Sequence, residues 1–301
     1  MSWRLRVALA AGALALGLLP ALGDRFWLQL AGKTMITGIF AMSLDLLVGY
    51  VGLVSLGHAT FFGLAAFLLA GLSNHFGLVS PVTTLPLCLA AAAVAALAIG
   101  WLSLRATGVY FVMVTLAFAQ MLFYLFSEAP GLGGSDGVYV SARPIEDWNA
   151  CYLAIWICLL FVFFLLRWTT QTRFGRVLSG IRINEARMRT LGYPTRRYQL
   201  AAFALAGTLA GLAGYLDATL YGFVNPALFG WRQSGLVLVT VLLGGKGTLY
   251  GPVLGALFLS LLEHFGERAT QHWNALIGGV VVLTVLFLPQ GIAGLLRGRR
   301  V

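Results

Sequence analysis

The 301-residue sequence predicts an all-α integral membrane protein, a polytopic bundle of about ten transmembrane helices. Three observations predict it. Of its residues 59% are hydrophobic and only 10% are charged, against roughly a quarter charged in ordinary soluble domains. Apolar runs long enough for a hydrocarbon core of about 30 Å recur along the whole chain. Basic residues gather on alternate connections between those runs. A soluble globular enzyme is excluded.

The first run, Val7–Leu22, follows Arg4 and Arg6 and ends at Ala21-Leu22-Gly23, as a secretory signal does. It is long for a signal core and more runs follow, so it reads as an uncleaved span. Thr34–Val54, Ala59–Ser73, Val82–Leu104, Gly108–Phe126, Asn149–Leu166, Gln199–Tyr221 and Ala275–Leu296 are long enough to cross. Ser234–Leu249 and Pro252–Phe265 are shorter and interrupted by glycine, a candidate re-entrant pair. With the N-terminus inside, ten spans place fifteen of the twenty basic residues on the cytoplasmic side. These are Arg4, Arg6, Arg105, the eight arginines from Arg167 to Arg197, Lys246, Arg297, Arg299 and Arg300. Most of the acids fall on the other side, so the net charge of +10 is an orientation signal. Nucleic-acid binding is not expected, because no basic and aromatic domain lies outside the membrane. The three cysteines, Cys88, Cys151 and Cys158, all fall within spans and read as inert small hydrophobes.

Three features carry the functional reading. From Arg173 to Gly192, Phe174, Val177, Leu178, Ile181, Met188 and Leu191 fall on one helical stripe, opposite Arg176, Arg182, Arg187 and Arg189. Such a helix either lies in the lipid interface with its arginines on headgroups or docks a cytoplasmic partner. The stretch Gly49-Tyr-Val-Gly52-Leu-Val-Ser55-Leu-Gly57-His58-Ala59 places three glycines, a hydroxyl and an imidazole between two apolar helices. It is either a helix break beside a translocation path or a tight turn at the surface with a solvated His58. Two carboxylates, Asp45 and Asp217, fall within spans, where acids are costly and face a cavity or a partner. Asp45 lies well inside its run and is the stronger candidate; Asp217 is near the outer end of its helix, within reach of water. The four histidines are scattered without metal-ligand spacing. Gly244-Gly-Lys-Gly-Thr248 lacks the first glycine of a phosphate loop, so nucleotide binding is not expected in this chain. Spacings of the small-xxx-small type at Gly207/Gly211 and Gly251/Gly255 signal close helix packing.

Several stretches, in order, resemble a known family. They are Met42 to Gly63 (MSLDLLVGYVGLVSLGHATFFG), Gly108 to Gln120 (GVYFVMVTLAFAQ), Gly133 to Gly137 (GGSDG), Arg173-Phe-Gly-Arg176, and Leu243 to Pro252 (LGGKGTLYGP). Together they resemble the permease subunits of bacterial branched-chain amino acid ABC importers, of the M-type, over about Thr34 to Gln290. The resemblance implies a type II ABC-importer-like permease domain over 34–290. It is preceded by an N-terminal span and outer loop at 1–33 and followed by the end of the last span and a basic tail at 291–301. It further implies a paralogous permease partner, two ABC ATPase subunits that bind ATP and Mg, a periplasmic substrate-binding protein, and residence in the inner membrane with both termini cytoplasmic. No cofactor or catalytic residue is then expected in this chain. Within the loop 167–197 the resemblance places a relaxed form of the importer signature at Asn184–Gly192, matching at Glu185 and Gly192. Arg173, Phe174, Gly175, Arg176, Asn184, Glu185 and Gly192 are accordingly the expected ATPase-coupling residues. Asp45, Gly49, Gly52, Ser55, Gly57 and His58 are the expected path residues. Arg187 and Met188 stand where family members carry small residues, and Asp45 replaces a frequent Asn. The competing expectation is an ion-coupled secondary transporter with Asp45 and Asp217 as ion sites. Branched-chain amino acids are the implied substrate, although similar permeases serve urea and short amides.

Overall fold

The computed structural model describes residues 12, 16–17, 19–22, 25–129, 134–269, 272–287 and 291–297. The expected first span Val7–Leu22 lies largely outside the described residues, as does Gly133 of the outer loop. The helices that follow are α1 Arg25–Asp45, prolonged by a wider π-type turn over Leu46–Val51, α2 Ala59–Phe76, α3 Pro81–Ser103, α4 Val109–Ser127 and α5 Trp148–Gln171. Two short helices, α6 Arg173–Ile183 and α7 Glu185–Thr190, lead into α8 Thr195–Tyr221, α9 Trp231–Gly244, α10 Tyr250–Ala269, α11 Trp273–Phe287 and α12 Gly291–Arg297.

Among the described residues six helices are long and apolar enough to cross a membrane: α1 with its π-type turn, α2, α3, α4, α5 and α8. The two Gly-interrupted runs form α9 and α10. With 14 residues, α9 is about 21 Å long, short of the hydrocarbon core. The structure adds one element absent from the sequence reading, a two-residue antiparallel ribbon pairing β1, Val138–Tyr139, with β2, Phe223–Val224. Two residues are too few to leave an alternating pattern in the sequence.

The core is built on α1, α2 and α8, which are mostly buried, while α3, α4 and α5 present mostly exposed apolar faces such as Val94, Trp101, Met113 and Phe161. Glycine permits the close approach. A Cβ at Gly207 would meet Ala96 of α3 at 2.5 Å and Phe61 of α2 at 3.1 Å; one at Gly214 would overlap the Phe62 carbonyl. Close packing of this kind replaces the hydrophobic drive that lipid does not supply between helices. It also sets the depth of α2, whose Phe61 and Ala65 lie beside Gly207 and Gly211 in the middle of α8. The chain therefore travels from the end of α1 to mid-depth without helical structure.

The two ends of the bundle differ in charge. One gathers Arg105, the α6–α7 arginines, Arg196, Arg197 and Lys246, and is called the basic end. The other carries the ribbon, Asp147 at the N-cap of α5, and the Lys33–Glu263 ion pair at 2.9 Å.

Candidate functional site

At the basic end α1 loosens at Asp45. The backbone widens through Leu46–Val51 and stops at Gly52, which takes φ 84° and donates its N–H to the Leu47 carbonyl at 2.8 Å. A π-type turn of this kind is a recurrent feature of functional helices. Its partner is the loop between α9 and α10. Asp45 is fully buried; its Oδ1 accepts the Gly247 N–H at 2.6 Å and its Oδ2 the Leu249 N–H at 3.4 Å. The approach requires glycine at position 49, since a Cβ there would meet the Gly247 nitrogen at 2.5 Å. The loop is itself unusual: Leu249, a non-glycine residue, holds φ 55°, a left-handed conformation that costs roughly 1 kcal/mol or more. The guanidinium of Arg182, on α6, donates to the Gly49 carbonyl, and its aliphatic stem lies over Gly52. One node thus joins α1, α6 and the α9–α10 loop.

Beyond Gly52 the chain runs without helical structure to His58. Gly57 packs against the Thr115 backbone of α4, and the Ala59 N–H donates to Ser234 Oγ at 3.0 Å. His58 is fully buried, which overturns the surface turn with a solvated imidazole. It stacks on Phe40, with ring centroids 5.5 Å apart and 8° between planes. Its Nε2 lies 2.8 Å from Ser43 Oγ, whose hydroxyl donates to the Phe40 carbonyl at 2.7 Å. Nε2 is engaged by that hydroxyl in either tautomer, which leaves Nδ1 as the other ring nitrogen. That Nδ1 is buried and has no hydrogen-bond partner. Irregular backbone at this depth is tolerated because protein covers it.

The single amphipathic helix expected over Arg173–Gly192 is two helices. Asn184, at φ −158° and ψ 99°, ends α6 and caps α7, its Oδ1 accepting the Arg187 N–H at 3.0 Å. Asn favours capping over helix interiors because its side chain competes for backbone donors. The helix α6 buries Gly175, Val177, Leu178 and Ile181, with Phe174 stacked on Tyr198 at 5.7 Å and Arg173 and Arg176 exposed. By contrast α7 has no buried residue, and Leu191, expected on the apolar stripe, is exposed. Glu185 turns inward: its Oε1 accepts from the Arg189 guanidinium and from Thr195 Oγ1 at 3.0 Å. Gly192 turns the chain at φ 86°, a conformation that favours glycine. Of the atypical pair, Met188 folds back on Gly180 while Arg187 is exposed.

Of the expected path residues, Asp45 and Gly49 belong to the node, Gly52 carries the Arg182 stem, and Ser55, Gly57 and His58 lie in the buried part of the extended segment. Arg182, Ser43, Ser234, Gly247 and Thr195 were missed. Arg182 left a signal as an arginine in the amphipathic stretch, and Ser43 and Gly247 fall within the stretches that carry the family resemblance. Asp217 stands elsewhere, at the opposite end, where it is half-buried and lines a cavity with Tyr139 and Asn225. Among the described residues no group of three His, Cys, Asp or Glu side chains is placed to hold a metal.

A family model described as "Branched-chain amino acid transport system / permease component" matches residues 26–286. The high-affinity branched-chain amino acid transport system permease protein LivM of Escherichia coli (strain K12) is 28% identical, the alignment covering 92% of this chain and 72% of that protein. The LivM protein of Salmonella typhimurium aligns with the same identity and coverage. The autoinducer 2 import system permease protein LsrC of Escherichia coli O9:H4 (strain HS) is 30% identical over 89% of this chain and 82% of its own length. No solved structure matches significantly. The apolar helices and the relatedness over most of the chain agree: the chain is a multi-pass membrane protein and belongs to the family of branched-chain amino acid transport system permease components.

Proposed function

We propose that the chain is the transmembrane subunit of an ATP-driven ABC importer in a bacterial inner membrane, with its basic end in the cytoplasm. It pairs with a paralogous permease around a path for branched-chain amino acids or a similar small solute. Two ATPase subunits dock at the α6–α7 loop, and a periplasmic binding protein delivers solute at the opposite end. The first run, the six long helices, the shorter α9, α10 and the final α11–α12 pair are the ten membrane segments, with both termini cytoplasmic.

The observation that carries this reading is the contrast between α6 and α7. The exposed, basic α7 is free to enter a groove of a partner, while α6 is packed into the bundle and bonds through Arg182 to the node at the end of α1. Movement of the docked loop would then reach the irregular segment Gly52–His58 through a rigid connection, as rigid-body alternating access requires. Arg187, exposed at the centre of α7, adds positive charge to the docking surface, while Met188 is taken up by α6.

The test is reconstitution in liposomes with the ATPases, the paralogous permease and the binding protein. ATP-dependent leucine uptake is expected, and Glu185→Ala and Gly192→Val are each expected to lower uptake and stimulated ATP hydrolysis together by about tenfold. Both activities unchanged would overturn the docking assignment. Uptake by this chain alone, driven by an ion gradient, would overturn the importer reading.

A further inference from the structure

The end of the bundle opposite the arginines contains a cavity of about 360 Å³ lined by Tyr139, Asp217, Tyr221, Phe223, Asn225 and Leu228. Its polar groups are two phenols, a carboxylate and a carboxamide. Asp217 supplies a carboxylate from the last turns of α8, and the Asn225 Oδ1 is buried with no hydrogen-bond partner. The ribbon sets its aromatic wall: Tyr139 and Phe223 are directly paired across β1 and β2, with ring centroids 4.9 Å apart and 50° between planes. Asn74 holds that wall, its Nδ2 donating to the Tyr139 carbonyl at 2.8 Å.

Among the described residues Asp217 has no ion-pair partner of its own. Lys33 is near enough to act electrostatically on Asp217, yet its ammonium is already paired with Glu263 at 2.9 Å. Arg143, another cation at this end, donates to the carbonyls of Leu220 and Tyr221 at 3.4 and 3.2 Å. None of the six lining residues is basic. What satisfies such a site is a small cation with several N–H donors that can also sit against aromatic ring faces. A primary ammonium does both. A neutral solute would leave Asp217 uncompensated in a partly dehydrated place, and an anionic one would be repelled.

We propose that this cavity is a subsite for the primary ammonium group of an entering solute, with Asp217 and Asn225 as acceptors and Tyr139 and Phe223 as the aromatic wall. The assignment rests on the importer reading only for the direction of entry.

Equilibrium binding to the purified full chain in lipid nanodiscs tests it, with L-leucine, 3-methylbutylamine and 4-methylpentanoate as probes. The two amines are expected to bind, and 4-methylpentanoate, which has a comparable alkyl group but no amine, at least tenfold more weakly. Asp217→Asn and Asn225→Leu are each expected to weaken 3-methylbutylamine by tenfold or more, and Asp217→Glu to stay within about threefold of the wild type. Equal binding of the amine and the acid, or unchanged affinity in Asp217→Asn, would overturn the proposal. Should Asp217→Asn fail to fold, Asn225→Leu, in the connection after α8, decides by the same criterion. Because no ATPase is present, failure here leaves ATP-driven uptake standing, and failure of that uptake leaves this binding result standing.

Discussion

Asp45 and Asp217 are both carboxylates within membrane helices, and the protein holds them in opposite ways. Asp45 is wholly buried and takes two backbone N–H groups from a loop about 200 residues distant in sequence. Asp217 lines a cavity, and the lysine nearest to it is paired with another acid. A buried charge persists only with strong partners. A carboxylate saturated by backbone donors has become a brace, whereas one left at a cavity remains available to a ligand. Intramembrane position alone therefore does not tell a structural acid from a binding one; the donors around it do.

The largest expected effect breaks the brace. Asp45→Ala leaves the Gly247 and Leu249 N–H groups buried without their acceptor. At about 1–3 kcal/mol for each orphaned group, the loss is roughly 2–5 kcal/mol, read as a lowered midpoint in thermal unfolding of the detergent-solubilised chain. Asp45→Asn retains one acceptor oxygen and is expected to fall between Asp45→Ala and the wild type. If Asp45→Ala unfolds at the wild-type temperature, Asp45 is not a brace and the contrast with Asp217 collapses.

Arg182→Ala sharpens the same comparison with a smaller stability cost. It removes one hydrogen bond from an exposed side chain to the Gly49 carbonyl, worth about 0.5–1.5 kcal/mol. The informative reading is the ratio of solute taken up to ATP hydrolysed in the reconstituted complex. That ratio is expected to fall severalfold while hydrolysis stays near normal, because docking at α7 survives and only its link to α1 is cut. A parallel fall of both activities would instead make Arg182 part of the docking surface.

Much of this architecture is legible from local pattern. The long spans follow from run length, the basic end from the distribution of arginine, and the break after Gly49 from three glycines in nine residues. What is not legible depends on partners distant in sequence or on single-residue competition. Nothing near Asp45 announces that Gly247 will bond to it. Hydrophobic spacing runs smoothly through Asn184, so a single helix is the natural expectation, yet capping ends it there, and Met188 turns back on Gly180 while Leu191 is left exposed. The ribbon that walls the outer cavity has two residues per strand, so Tyr139 and Phe223 give no hint of being neighbours. Asp217 could be placed at a helix end, but neither the cavity nor the bare Asn225 acceptor follows from that.

The smallest expected effect is the stability change of Asp217→Asn. The substitution keeps the shape of the side chain and leaves the Lys33–Glu263 pair intact, since that ion pair is made without Asp217. It also removes a carboxylate charge that has no ion pair of its own among the described residues. The unfolding midpoint is therefore expected to move by the equivalent of less than about 0.5 kcal/mol, the range of substitutions that break no buried bond, or to rise slightly. A drop as large as that of Asp45→Ala would mean that Asp217 holds the outer end of α8 to α1 through Lys33. Its exposure to the cavity would then be incidental, and both carboxylates would be braces. A neutral or stabilising result, combined with loss of amine binding, would instead be the signature of a group whose charge is retained for a ligand at some expense to the fold.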